Sequence, residues 1–487
     1  MPLPPPPPTG DLPLEVFELQ TQRLAAWIAD YLRHPERHPV LAQVTPGQVA
    51  ASLPDAMPAA AEAIESIMAD LDRVVVPGVT QWNHPGFFAY FANTASVPGI
   101  LGELVSAALN QVGILWRTSP VLAELEQVTT GWVRDAMGLP SDWFGMLTDT
   151  ASTSTLQALA AARERDATLD IREHGMAGRT DLPVLRVYCS DQAHSSVDKA
   201  VITLGLGRAN CKRIPSDGAQ RMRLDALRAQ VDADLAAGMR PLAVVATLGT
   251  TSSTAVDPVA EIATLCEHYG IWLHADAAYG GVLAMLPERR PMFAGLERAD
   301  SLVVNPHKWL FTPMDCSVLW TRHPDILRRA FSLTPEYLRT QEQDVALSYS
   351  DYSFQLGRRF RALKLWFVLR AFGLRGIQDR LRFHCILAEQ LGAWISAEAE
   401  WELLAPVTMS VVCFRHRPAG MQDEELLERH NAAILEGVNA SGRVFLSHTK
   451  LDGRYTLRVA IGNLRTEERH VAEAWALLRD AARDVVS

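Results

Sequence analysis

The chain has 487 residues, 48% of them hydrophobic and 21% charged, which is ordinary globular composition with enough chain for two or three domains. Its 46 basic against 56 acidic residues leave a formal net charge of −10, which argues against nucleic acid or an anionic membrane as the main partner. The six cysteines, Cys189, Cys211, Cys266, Cys316, Cys385 and Cys413, stand singly without a CxxC pair, and read as small buried hydrophobes in a reducing compartment, neither a disulfide frame nor a metal site.

The start, "MPLPPPPPTG", is extended polyproline and lacks the basic-then-apolar order of a signal peptide. No apolar run reaches the roughly 18 residues of a membrane span, so a cytoplasmic protein is expected. Leu14, Phe17, Leu24, Trp27, Ile28, Tyr31 and Leu32 fall at helical spacing, and a second helix is expected near 59–75. These helices precede any strong strand and have no evident core of their own, which makes a partner subunit a candidate to cover them. From about residue 97 apolar strands alternate with helices. "LRVYCS" (185–190), "LAVVATLG" (242–249), "IWLHAD" (271–276) and "SLVVNP" (301–306) read as strands, and 257–270 as a helix capped by Asp257 with Pro258 at its first position. Continuous apolar strands alternating with helices predict a mainly parallel sheet covered on both faces. A helix is expected from Arg359 to about Ala371. Beyond it, strands at 409–416 and 455–462 alternate with helices, the pattern of a smaller α+β domain.

Open parallel sheets place ligands beyond the carboxyl ends of their strands. Here those ends carry Asp191 to His194, Gly249-Thr250-Thr251, Asp276, and Asn305 with His307 and Lys308. Each alone reads blandly, as a turn former, a loop histidine or a lysine lying along apolar surface. Pyridoxal phosphate is the ligand that would use them together. A lysine amine forms a Schiff base with its aldehyde, a carboxylate keeps its ring nitrogen protonated, and a helix N-terminus holds its phosphate. "DTASTSTLQALAAARER" (149–165) supplies such a helix entry.

The segments "HPGFFAYF" (84–91), "SPVLAELE" (119–126), "DTASTSTLQAL" (149–159), "SDQAHSSVDKA" (190–200), "VATLGTT" (245–251), "WLHADAAYGG" (272–281), "NPHKWL" (305–310), "DCS" (315–317) and "LGRRFRALKLWFVLR" (356–370) occur in one order. Through them the chain resembles the group II pyridoxal-phosphate decarboxylases, and within these the aromatic-L-amino-acid decarboxylases. The resemblance implies an α/β fold of the aspartate aminotransferase-like kind (fold type I), with a mainly parallel seven-stranded sheet. It also implies an N-terminal helical segment (1–96) packed on a partner in a homodimer, a cofactor-binding domain (97–375) and a small C-terminal domain (376–487). Lys308 would form the Schiff base, Asp276 would contact the ring nitrogen and His194 would stack on the ring. Ala151, Ser152 and His307 would hold the phosphate, with Thr251, Asn305 and Gly357 completing the cofactor shell. Tyr337, in the loop 331–344, would return a proton to the substrate. Trp82, Tyr90, Phe91, Thr94 and Ile114 would line the substrate pocket. "FANTAS" (91–96) carries one more residue than the animal enzymes' pattern, Ile114 stands where those often have phenylalanine, and Arg117 is unexpected, with a structural ion pair as its plain reading. Decarboxylation of tryptophan, tyrosine, phenylalanine or DOPA is the expected reaction. An oxidative aldehyde synthase and a non-catalytic binding or scaffold relative are the alternatives. No paired ligand spacing marks a metal site.

Overall fold

The computed structural model describes residues 11–333, 341–342 and 345–486. Its centre is a seven-stranded sheet of β1 (Phe144–Thr148), β2 (Leu185–Ser190), β3 (Cys211–Ile214), β4 (Arg240–Thr247), β5 (Trp272–Asp276), β6 (Ser301–Val304) and β7 (Ser317–Thr321), in the order β1-β7-β6-β5-β4-β2-β3. Four neighbouring pairs are parallel. β7 runs antiparallel to both β6 and β1, so β1 points the same way as the parallel strands. Six carboxyl ends therefore share one edge. β2, β5 and β6 are buried along their whole length, which is why their sequences are unbroken apolar runs and not alternating ones.

A second, four-stranded antiparallel sheet holds β8 (Trp401–Leu403), β9 (Val411–His416), β10 (Ser447–Leu451) and β11 (Arg454–Ala460), in the order β10-β11-β9-β8. The helix Arg361–Ser396 joins the two layers. Its first part puts Ile377, Leu381 and Cys385 into the core of the large sheet, and its end puts Leu387, Leu391 and Ile395 into that of the small one. Gly373, with φ of +62° and ψ of 166°, is not helical and kinks the run into two consecutive helices.

The segment 84–91 is threaded into the small sheet's end. Phe88 N–H donates to the Phe445 carbonyl and Ala460 N–H to the Phe88 carbonyl, each at 2.9 Å. The N-terminal helix Leu14–Arg33 buries only Gln20, and leaves Leu14 and Phe17 78% and 55% exposed.

Asp257 departs from the sequence reading. The helix begins at Val259, behind Pro258, and the buried Asp257 carboxylate instead accepts the N–H groups of Thr247 and Met222, each at 2.7 Å. It ties the end of β4 to the neighbouring loop and leaves the helix uncapped by a side chain.

Candidate active site

A cavity of about 220 Å³ opens where the carboxyl ends of β1, β2, β4, β5 and β6 converge. β6 is only four residues long. It stops at Val304, and Asn305 and Pro306 start a one-turn helix that carries His307 and Lys308 just past the sheet edge. The His307 N–H donates to the Cys316 carbonyl at 3.2 Å, and its Nδ1 accepts from the Cys316 N–H at 3.0 Å. Burial, helped by the charge of Lys308, pushes the His307 imidazole down to about 3. With Nδ1 occupied as an acceptor, the neutral ring carries its proton on Nε2 and acts as a donor into the cavity.

Lys308 is held in apolar surroundings, its Nζ 5.0 Å above the centroid of the Phe91 ring. Burial lowers its amine to about 8; Asp276 opposes that shift and Arg458 adds to it. At neutral pH an appreciable fraction of the amine is therefore uncharged and nucleophilic. Asp276, the last residue of β5, is 5% exposed and accepts from the Ala278 N–H at 3.2 Å. His194 lies in the turn after β2, where its Nδ1 accepts the Ser196 N–H at 3.1 Å. Burial lowers its pKa, Asp276 raises it and Lys308 lowers it further. The backbone bond again leaves the proton on Nε2.

The helix Ala151–Glu164 follows β1 and opens into the same cavity through Thr150, Ala151 and Ser152. Its first N–H groups have no partner within the helix, and its dipole favours an anion there. Gly249 has φ of +99°, and a Cβ on it would come within 3.0 Å of the Gly280 nitrogen, so the backbone closes tightly over this side.

Four buried polar atoms on cavity-lining residues have no partner among the described residues: Asn93 Oδ1, Ser196 Oγ, Thr247 Oγ1 and Asn305 Oδ1. Such groups cost about 1–3 kcal/mol each when left unpaired, so they mark a cavity made for a polar guest. An anion site at one end, a carboxylate at the other and a lysine with a depressed pKa match the phosphate, ring nitrogen and aldehyde of pyridoxal 5′-phosphate.

The cavity brings together Ala151, Ser152, His194, Thr251, Asp276, Asn305, His307, Lys308 and, of the substrate-pocket set, Phe91. The remaining residues lie elsewhere. Thr94 is fully buried and accepts the Leu464 N–H at 3.3 Å, and Asn93 reaches the cavity in its place. Trp82 and Tyr90 lie on the surface beside Phe87 and Phe445. Ile114 uses its carbonyl to accept Ser350 Oγ at 2.7 Å. Gly357 is not among the lining residues either; the nearest side-chain atom to a Cβ built there is 3.8 Å away, on Val112. Tyr337 lies outside the described residues. Arg117 pairs with Glu342 at 3.8 Å, as an ion pair away from the cavity.

Sequence reading missed a stacked column behind the lysine. Phe91 lies on Tyr279 with centroids 3.7 Å apart, and Tyr279 on Trp309 at 4.5 Å. It also missed Arg458. Arg458 is 3% exposed and has no carboxylate partner among the described residues; its guanidinium donates to the carbonyls of Tyr90 and Ser252 and stands 4.8 Å from the Phe91 centroid. A signal was available, because "YTLRVAIG" places a lone arginine beside small residues, Ala460 and Gly462, on one face of a strand whose other face is wholly apolar.

The family model for the pyridoxal-dependent decarboxylase conserved domain matches residues 46–417. Tyrosine decarboxylase 4 of Petroselinum crispum is 38% identical over 488 residues, covering 98% of this chain and 95% of that one. Phenylacetaldehyde synthase of Arabidopsis thaliana is 40% identical over 466 residues, covering 94% of each. The crystal structure of Oryza sativa TDC with PLP and tryptamine superposes with a TM-score of 0.94 at 33% identity, covering 99% of this chain and 100% of that one. The chain belongs to the pyridoxal-dependent decarboxylases, and is a carboxy-lyase whose cofactor is pyridoxal 5′-phosphate.

Proposed function

We propose that the protein removes the α-carboxylate of an aromatic L-amino acid and releases the corresponding amine and carbon dioxide. The observation that carries this is the convergence of Lys308, Asp276 and His194 on one cavity floored by the Phe91 ring. When bound, pyridoxal 5′-phosphate supplies a ring that accepts the electron pair left at the α-carbon. The N–H groups opening the helix at Ala151, with the His307 Nε2–H, hold its phosphate. The Asp276 carboxylate would keep a proton on its ring nitrogen, and His194 would cover the ring. Lys308, partly uncharged at neutral pH, would hold the cofactor's aldehyde carbon through its amine. Tyr337 returns the proton to the α-carbon. That role comes from the resemblance, since the residue lies outside the described part of the chain.

Asn93 is assigned to the substrate ring in preference to Thr94. The unpartnered amide oxygen of Asn93, on a cavity-lining residue, suits a donor on the substrate, a phenol O–H or an indole N–H. We read the working unit as a homodimer. A second copy would cover Val97, Leu101, Leu104, Val105 and Leu109, an exposed apolar stripe along one helix, together with the poorly buried N-terminal helix. The division at 96 and 375 is part of the same reading, supported by the two separate sheets and by a second apolar cluster on one face of the small one. So is a cytoplasmic setting, which suits six free thiols.

The relatives also include an aldehyde synthase, which makes oxidative deamination the second reading. The test is a product assay of purified holoenzyme with tryptophan, tyrosine, phenylalanine, DOPA, histidine and glutamate. Amine without peroxide supports the proposal. Aldehyde with peroxide and ammonia replaces it with the second reading.

A further inference from the structure

β3 is the edge strand of the large sheet and pairs in parallel with β2, with Val187 opposite Cys211 and Cys189 opposite Arg213. Cys189 and Cys211 therefore lie diagonally on one face, their Sγ atoms 3.7 Å apart. Cys189 is buried, whereas Cys211 is partly open to solvent. The hydrogen bond from Cys189 draws the Cys211 thiol below its usual range, with Arg213 and Arg208 assisting, and the same bond with burial holds the Cys189 proton on. Reactive cysteines sit in such electropositive, partly exposed places.

We infer that Cys189 and Cys211 form a thiol–disulfide pair, oxidised by hydrogen peroxide, whose closure disturbs the turn carrying His194. The Cys211 thiolate attacks one peroxide oxygen; the O–O bond breaks and the departing hydroxide takes a proton to leave as water. The resulting sulfenic acid is attacked by Cys189, which gives up its proton as the S–S bond forms and a second water departs. Two thiols are oxidised, one peroxide is reduced and two waters are released.

The consequence for the site follows from what β3 holds. Arg213 Nη1 donates to the carbonyls of Ser190 and Ala193, at 2.9 and 3.0 Å, and Nη2 pairs with Asp198. The Asp191 N–H donates to the Ile214 carbonyl at 2.9 Å. The turn that positions His194 is thus stitched to β3 on both sides. A disulfide needs its sulfur atoms about 2.05 Å apart, whereas these two stand 3.7 Å apart. Closure must draw β3 along β2, and this four-residue edge strand, bonded on one side only, is the part of the sheet that can move.

The experiment treats holoenzyme with hydrogen peroxide and maps the peptides under non-reducing conditions. A linked Cys189–Cys211 peptide is expected, with loss of two of the six titratable thiols and a fall in kcat of about tenfold. Dithiothreitol restores both, and Cys211→Ser and Cys189→Ser chains keep their activity through the same treatment. Failure to form that peptide overturns the proposal, and so does a linked pair that leaves kcat unchanged. Mapping and dithiothreitol reversal on the wild-type chain decide the matter even where a serine variant folds poorly. The coupling to His194 rests on the site proposed above, but the mapping does not. A chain that turns over none of the amino acids before oxidation fails that reading, and leaves the disulfide to be judged by its peptide.

Discussion

Replacing Arg458 by methionine removes a buried positive charge while keeping the side chain's apolar length. Lys308 Nζ and Arg458 Cζ stand 5.0 and 4.8 Å from the centroid of one ring, which puts the two charges no more than about 10 Å apart. At that separation and an effective dielectric constant of about 20, their repulsion is about 1.7 kcal/mol, a little over one pKa unit. Removing the cation favours the charged ammonium, so the Lys308 midpoint should rise from about 8 toward 9. The chain has only five lysines, so reductive methylation with ¹³C-formaldehyde gives a spectrum simple enough to titrate by NMR, with the Lys308 signal assigned by its loss in Lys308→Ala. The apoprotein is the form to use. Arg458→Met also strips a donor from the Tyr90 and Ser252 carbonyls, so a thermal melt must first show that the variant is folded. A midpoint that stays put, or falls, refutes the claim that Arg458 helps hold the amine uncharged.

Lys308→Ala should abolish turnover and the yellow absorbance of the lysine-bound cofactor, read by spectrophotometry and the product assay; full activity would remove Lys308 from the mechanism. Asn93→Val should lower kcat/KM for tyrosine by about tenfold, the ~1.4 kcal/mol of one hydrogen bond, and leave phenylalanine nearly unchanged; equal losses on both would mean that Asn93 does not read the ring substituent. Glu126→Gln leaves the Arg358 guanidinium, 1% exposed beside it, without its counter-charge, and should cost about 3–5 kcal/mol in urea unfolding. His384 is fully buried and accepts from Trp309 Nε1 at 2.9 Å, and burial holds it at about 3. Between about pH 6.5 and that value the unfolded chain binds a proton that the folded chain refuses, so stability falls as pH falls. His384→Gln keeps the acceptor and should reduce that slope by about 1.4 kcal/mol per pH unit.

The parallel core was legible because its strands are buried on both faces and read as unbroken apolar runs ending in chemically capable residues. "LRVYCS", "IWLHAD" and "SLVVN" each pointed to their own strand end. β3 was not legible, since "CKRI" is a four-residue edge strand with two adjacent cationic residues, none of its residues but Ile214 is buried, and it shows no apolar run. The helix expected from Arg359 to about Ala371 does end there in effect, because Gly373, with φ of +62° and ψ of 166°, kinks the run Arg361–Ser396 into two helices, the second of which packs into the small sheet's core. In the cavity, the cofactor-facing residues follow the strand ends and could be named. The substrate side depends on loop path, which spacing does not encode. Thr94 and Asn93 are neighbours in sequence, yet one is spent on the Leu464 backbone and the other is left facing the cavity.

The seating of 84–91 against the small sheet has a consequence for biosynthesis. Phe91, the aromatic floor of the cavity, is fixed by way of Phe88 and Tyr90, whose backbone partners are Phe445, Ser447, Arg458 and Ala460. A chain leaving the ribosome has the large sheet and its lysine well before it has those partners. Domains fold in order of emergence, so the nascent chain passes through a stage in which the lysine pocket stands open with its floor unplaced. Only when the last strand has emerged can the early segment fold back and close it. A protein truncated before β11 would keep most of its length and lose the catalytic enclosure.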